Sequence, residues 1–316
     1  MTRKQCLENC KNDKQNARLT RIALREDAIS RLSEENAELR EIDGSLKKLA
    51  ARLPLAAISG KKNEVENIKI TITELNKKRD AILAKAGIPE AEYDCDICKD
   101  TGLVDGKYCD CVRAAASRLM IEELSKSAPL DECRFENFDL SYYPNADTEN
   151  GNPKKRMTEV LKLCREYVIN FDPAKSPSLL FMGNTGLGKT HLSLAVAYEL
   201  MLKGFDVIYG SAYNLFSKME SEHFSEHSDV SYTAAVGADL LIIDDLGGEF
   251  TSPYVQSLVY NIVNTRLLAR KPTIVNTNLS MADINDTYSA RVASRLLGEY
   301  TARRFIGSDI RQQKSV

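Results

Sequence analysis

The chain has no surplus of charge. Its 43 Lys and Arg stand against 45 Asp and Glu, a formal net charge of −2 over 316 residues. That balance excludes a polycation, so any nucleic-acid contact must use a local basic patch. There is also no apolar run of about eighteen residues, which excludes a hydrophobic helical membrane span. The opening "MTRKQCLENCKNDKQ" has no apolar h-region, so it does not read as a secretory signal. A cytoplasmic, reducing location is therefore the expectation. There, closely spaced members of the eight cysteines favour metal binding over disulfides. Glycine is scarce at first, occurring only at 44, 60 and 87 in the first ninety residues.

What fills those ninety residues is Glu, Lys, Arg, Leu and Ile. Leu32, Leu39, Leu46 and Leu53 recur every seven residues, with Ile22 and Ile29 on the neighbouring seam. Val65, Ile68, Ile72, Leu75 and Ile82 form a second seam at spacings of three and four. These are coiled-coil spacings, interrupted by Asn36, Asp43 and Arg79. The pattern predicts a helical hairpin, its outgoing arm ended by Pro54 and its turn near Ser59-Gly60. At 1.5 Å per residue that arm would be about 50 Å long. Two ordinary amphipathic helices in a small bundle are the alternative.

Residues 91–127 hold "CDICKDTGLVDGKYCDC" and a helical stretch, "RAAASRLMIEELSKS". Cys95, Cys98, Cys109 and Cys111 are spaced C-x2-C-x10-C-x-C, with glycines where tight turns must bend. Four thiolates on two turns suit tetrahedral zinc, and with all four positions taken by protein the site would be structural. Free thiols, one pair of them redox-active, are the alternative.

From about residue 128, β-rich runs ("SLLFM", "DVIYG", "DLLIID", "PTIVNTN") alternate with helical stretches, which predicts an α/β domain with a mainly parallel sheet over 128–316. "GNTGLGKT" lies between a strand and a helix and fits G-x-x-x-x-G-K-T: Gly183, Asn184, Thr185, Gly186, Leu187, Gly188, Lys189 and Thr190. In that context the backbone N–H groups cradle phosphates, Lys189 reaches the β- and γ-phosphates of ATP, and Thr190 ligates Mg²⁺. His191 follows on the helix and borders the cofactor rather than catalysing. Asp244 and Asp245 end the buried run "LLII": Asp244 for magnesium, Asp245 to polarise the attacking water. Asn278, with Asn276 competing, ends a third strand where a polar side chain could orient that water.

In their order these stretches resemble the AAA+ ATPases, and within them the DnaC/DnaI-type bacterial replicative helicase loaders. The resemblance covers about residues 130–312. It implies that Phe135 and Phe138 of "CRFENFDL" lie near the adenine and that Asn278 is the sensor 1 residue. It further implies that Arg266, with Arg270 as runner-up, is an arginine finger acting across a homo-oligomer, and that Arg295 is the sensor 2 arginine. Walker B ends Asp-Asp where many relatives have Asp-Glu, so slow, switch-like hydrolysis is expected. A loader would bind the replicative helicase through its N-terminal region, and ATP and single-stranded DNA through the AAA+ domain. Candidates for the DNA are Arg303, Arg304 and Arg311, with Tyr213 and Phe216 for stacking. The helper ATPase of an insertion-sequence transposase, a small-molecule P-loop kinase and an adaptor with a degenerate site are the other readings. The cysteine cluster, the candidate arginines and the intact motifs speak against them in turn.

Overall fold

The computed structural model describes residues 2–90, 92–226 and 228–314. It divides into two compact units: Asn9–Val112, and Met1–Glu8 together with Arg113–Val316. The boundary thus falls at Val112, with the linker helix on the side of the second unit, rather than after residue 127.

The Asn9–Val112 unit is helical apart from its cysteine segment. Helix α1 (Arg3–Glu35) gives way at Asn36 to α2 (Ala37–Ile58), and a turn at 59–61 leads into α3 (Lys62–Lys85). The expected single outgoing arm is therefore two helices. Asn36 adopts an extended backbone and its side chain accepts from Leu39 N at 3.0 Å, the geometry of an N-cap. Pro54 does not end the arm. It sits inside α2 and removes one N–H, but the ladder resumes, with Ser59 N bonded to Leu55 O at 3.1 Å. The other two seam-breakers meet each other, Arg79 Nε donating to Asp43 Oδ1 at 2.7 Å across the α2–α3 hairpin. Leu39, Leu83 and Ile29 are buried together, with Leu32, Ile82 and Ile88 against them. Between the cysteine pairs lies a two-stranded hairpin, β1 (Leu103–Val104) and β2 (Lys107–Tyr108). Its turn, Asp105-Gly106, has φ +50 and +75, the two left-handed positions that suit Asp-Gly.

The second unit is a three-layer α/β fold. It contains α4 (Asp110–Ser125) from residue 113 on, α5 (Pro153–Ile169), β3 (Ser178–Met182), α6 (Lys189–Leu202), β4 (Val207–Ser211), α7 (Ala212–Ser221) and α8 (Val230–Gly237). It continues with β5 (Leu240–Leu246), α9 (Pro253–Leu268), β6 (Thr273–Thr277), α10 (Met281–Thr287), α11 (Ala290–Glu299), β7 (Tyr300–Arg304) and α12 (Ile310–Lys314). The sheet order is β4-β5-β6-β3-β7 and every neighbouring pair is parallel. Parallel strands are covered on both faces, which is why β3 and β5 carry the apolar runs 179–182 and 240–243. Leu180, Leu241, Ile243, Val259, Ile262, Val275 and Leu296 share one core. In such sheets ligands gather outside the carboxyl ends of the strands. Here those ends carry the loop after β3, the acids of β5 and the asparagines of β6. Among the described residues no helix is long and apolar enough to cross a membrane.

Candidate functional site

The loop 183–188 is shaped by its glycines. Gly183, Gly186 and Gly188 have φ of +145, +73 and +87. A Cβ on Gly188 would stand 2.8 Å from the Phe138 ring and 2.9 Å from the Tyr143 hydroxyl, so bulk is excluded as well as strained. Gly188 starts α6, aiming that helix's free N–H groups and positive dipole end into the loop. Lys189 Nζ donates to Gly183 O at 2.6 Å, Asn184 O at 2.7 Å and Asn278 Oδ1 at 2.5 Å. Burial depresses its pKa, while Asp244 and Asp245 work to keep it charged.

The two strand-end acids have different surroundings. Asp244 is buried and accepts from Thr190 Oγ1 (3.1 and 3.0 Å), Tyr209 OH (2.7 Å) and Asn276 Nδ2 (2.6 Å). Burial with that carboxylate alongside pushes the Tyr209 phenol well above the usual tyrosine range, so the hydroxyl stays a donor. Asp245 is exposed, at φ +54, beside an irregularity in the β5–β6 pairing. A non-glycine residue held there is strained. Its Oδ1 accepts from Asn278 Nδ2 at 2.8 Å. Asn278 therefore bridges Lys189 and Asp245, whereas Asn276 lies inside and braces Asp244. The geometry favours Asn278 over Asn276 for the water-facing position.

Lys189, Thr190, Asp244, Asp245 and Asn278 surround a cavity of ≈ 500 Å³ lined also by Phe138, Tyr142, Tyr143, His191, Ser211 and Arg311. The donor set fits a nucleotide triphosphate with magnesium: loop N–H groups and Lys189 for phosphate oxygens, Thr190 and Asp244 as hard oxygen ligands for the cation. Bound there, the cation would neutralise phosphate charge. His191, in the cavity wall, packs edge-on against Phe138 and its Nε2 is 2.8 Å from Arg134 O.

Five expectations need correction. Arg266 is fully buried. It donates to Thr273 Oγ1 and to the carbonyls of Ala235, Val236, Ala238 and Pro272 at 2.5–3.1 Å, with all three nitrogens engaged. It closes the C-terminal end of α8 and lies at the start of β6, away from the strand ends that hold Asp244, so it cannot serve as a finger. Burial pushes its pKa down to about 10. Arg295 lies on α11, its Nε donating to Asn264 Oδ1 at 2.9 Å and its Nη2 to Tyr260 OH at 3.1 Å, outside the cavity lining. Arg311, read from sequence as a DNA contact, lines the cavity instead. Phe135 is buried beneath Arg165, outside that lining, so of the two phenylalanines only Phe138 borders the cavity. Phe216 is core, at 1% exposure, and cannot stack on bases, whereas Tyr213 is 49% exposed. Tyr209 was missed because its role depends on which strand lies beside β5. Arg303 is half-buried, its Nη1 bonded to Ala302 O, and Arg304 is exposed.

The cysteines come together as their spacing predicted. The four Sγ atoms lie within 4.8 Å of one another, Cys95, Cys98 and Cys109 buried and Cys111 half-buried. Backbone N–H groups of Cys98 and Ile97 lower Cys95 to about 7. Burial among the other thiols raises Cys111. The buried Asp100 carboxylate accepts from Asp94 N and Cys95 N at 2.8 and 3.0 Å and pairs with Arg21 at 2.9 Å and Lys14 at 3.5 Å. The set fits a thiophilic ion, and zinc above others.

The family that the chain matches is one of ATP binding proteins. Residues 131–299 match the family model described as IstB-like ATP binding protein. The replicative helicase loader DnaC of Escherichia coli strain K12 is 30% identical over 138 residues, covering 43% of this chain and 56% of its own length. The chain thus spans little more than half of that relative. The phage-like element PBSX protein XkdC of Bacillus subtilis strain 168 is 25% identical over 239 residues, covering 70% of this chain and 84% of its own. Among solved structures, the DnaC helicase loader gives a TM-score of 0.48 at 22% identity over 57% of this chain and 100% of that one. DnaI gives 0.46 at 17% identity, over 57% and 92%. The family model takes in more than half of the chain, with the loop, both acids and both asparagines inside it: the chain belongs to the IstB-like ATP binding proteins and carries an AAA+ ATPase domain.

Proposed function

We propose that the protein is an ATP-controlled loader of a replicative DNA helicase, hydrolysing ATP slowly and using it as a switch. The observation that carries this is the intact constellation of Lys189, Thr190, Asp244, Asp245 and Asn278 in a domain 30% identical to a helicase loader over 138 residues. Lys189 and Thr190 would bind the triphosphate and its magnesium with Asp244. Asp245 would polarise the lytic water and Asn278 would hold both partners in register. The helical Asn9–Val112 unit is the helicase-binding module in this reading, stapled by zinc at its four cysteines. Self-assembly through the AAA+ domain and a salt-sensitive hold on single-stranded DNA complete it.

The test is capture of the replicative helicase from a host lysate by the full chain with ATP, followed by its loading onto single-stranded DNA. The Lys189→Ala chain should capture the helicase but fail to respond to ATP. Failure of the full chain to retain any replicative helicase would sink the loader reading. The family match also keeps the transposase helper in play. A transposase retained in place of the helicase would establish that alternative.

A further inference from the structure

Asp244 is held from three elements, and only one of them begins at the phosphate loop. Thr190 reaches it from α6, but that hydroxyl is also a prospective magnesium ligand and has a single proton to give. Asn276 braces Oδ1 from inside the sheet; a carboxylate only accepts, so the amide must present Nδ2. Oδ2 lies 3.0 Å from Thr190 Oγ1 and accepts a shorter bond from Tyr209, whose hydroxyl donates at 2.7 Å. Tyr209 comes from the edge strand β4, paired opposite Ile242, while Ser211 pairs opposite Asp244. The ring therefore reaches forward along the sheet to an acid on the next strand. Tyr209 also lines a second cavity of ≈ 680 Å³, with Leu124, Met201, Leu215 and Ser231, and Ser211 borders both cavities. The ring thus forms part of the second cavity's wall while its hydroxyl reaches the acid of the first.

We propose that Tyr209 is a positioning residue for the metal acid: its hydroxyl fixes the Asp244 carboxylate in the orientation that receives the divalent cation, and so sets the cation's affinity. The proposal rests on the reading of the first cavity as a magnesium–ATP site. A neutral donor is suited to the task. It fixes the carboxylate torsion without cancelling the charge that attracts the cation, which a lysine or arginine there would do. Outer-shell partners of this kind change metal affinity by about 10–100-fold when removed.

The experiment titrates full-length protein and Tyr209→Phe with Mg²⁺ while following a fluorescent ATP analogue, and repeats the titration with Mn²⁺ read directly by electron paramagnetic resonance. Phenylalanine keeps the wall and removes only the donor. The half-saturating Mg²⁺ and Mn²⁺ concentrations should rise about tenfold or more, while affinity for the analogue without added divalent cation stays at the wild-type value. Unchanged cation dependence overturns the proposal. So does an equal loss of cation-free nucleotide affinity, because the hydroxyl would then serve packing in general. Tyr209→Leu must show at least the same shift, and a Leu variant with wild-type cation dependence overturns the assignment even where Tyr209→Phe fails to fold. A wild-type chain that binds no nucleotide removes the underlying reading together with this one, an outcome distinct from a variant that behaves as wild type.

Discussion

The largest fully buried side chain among the described residues is a cation, Arg266. A guanidinium can occupy such a place only because carbonyls take up its N–H groups, and here they do. Arg266→Ala would strand those carbonyls and leave a cavity. The expected cost is about 3 kcal/mol or more, read as a lower denaturant midpoint, with ATP affinity of the folded fraction unchanged. A stable Arg266→Ala protein with lost turnover would restore the finger. At Gly188 the expectation runs the other way. Gly188→Ala should leave overall stability within about 1–2 kcal/mol yet abolish binding of an ATP analogue, because the new methyl displaces Phe138 or Tyr143 from the cavity wall. Wild-type affinity in a titration would refute that. The contrast between these residues also marks what a sequence discloses. Gly183 to Thr190 are contiguous, so the loop's demands are written side by side. Arg266 is surrounded by residues from 235–238 and 272–273, and no local pattern distinguishes it from an arginine facing solvent.

At the scale of elements, the hairpin was legible because seven-residue repeats are local, while its joints were not. Asn36, Asp43 and Arg79 read as defects in a seam. In the fold Asn36 is a cap that divides one arm into two helices, and the other two are each other's partners across the hairpin. The pair is only partly buried, at 25% and 22% side-chain exposure. Asp43→Ala and Arg79→Ala should therefore each cost about 1 kcal/mol or less, and the double variant little more than either alone. Leu39→Ala, from a side chain with no exposure, should cost about 2–4 kcal/mol. Hydrogen exchange confined to α2 and α3 would measure both. Strand positions in the ATPase unit were legible from apolar runs, but the order β4-β5-β6-β3-β7 was not. That order brings Tyr209 beside Asp244, which is why the loop and acids could be named in advance and the tyrosine could not.

The whole molecule joins a helical unit whose only sizeable described core is the small group around Ile29, Leu39 and Leu83 to an α/β unit with a large one. Their stabilities should differ in origin. Metal binding can contribute on the order of 10 kcal/mol to a segment that lacks a core of its own. Protein purified without chelator should carry one zinc per chain by elemental analysis. Removing it should bring forward a separate thermal transition for 9–112 and leave nucleotide binding by the second unit unaltered. One cooperative transition, insensitive to chelator, would contradict this. Replacing Cys95 and Cys98 with Ser should reproduce the chelator's effect, and replacing Asp100 with Asn should weaken zinc retention by about tenfold.

Asp245 holds a backbone angle that glycine or asparagine would tolerate more readily. The carboxylate stands there against the preference of its own main chain. A mutational library scored by the abundance of folded protein should then rank Gly and Asn above Asp at this position, by roughly 1 kcal/mol. The same library scored by ATP turnover should place both near the bottom. Stability-guided engineering of this protein would be drawn to that site, and would disarm it.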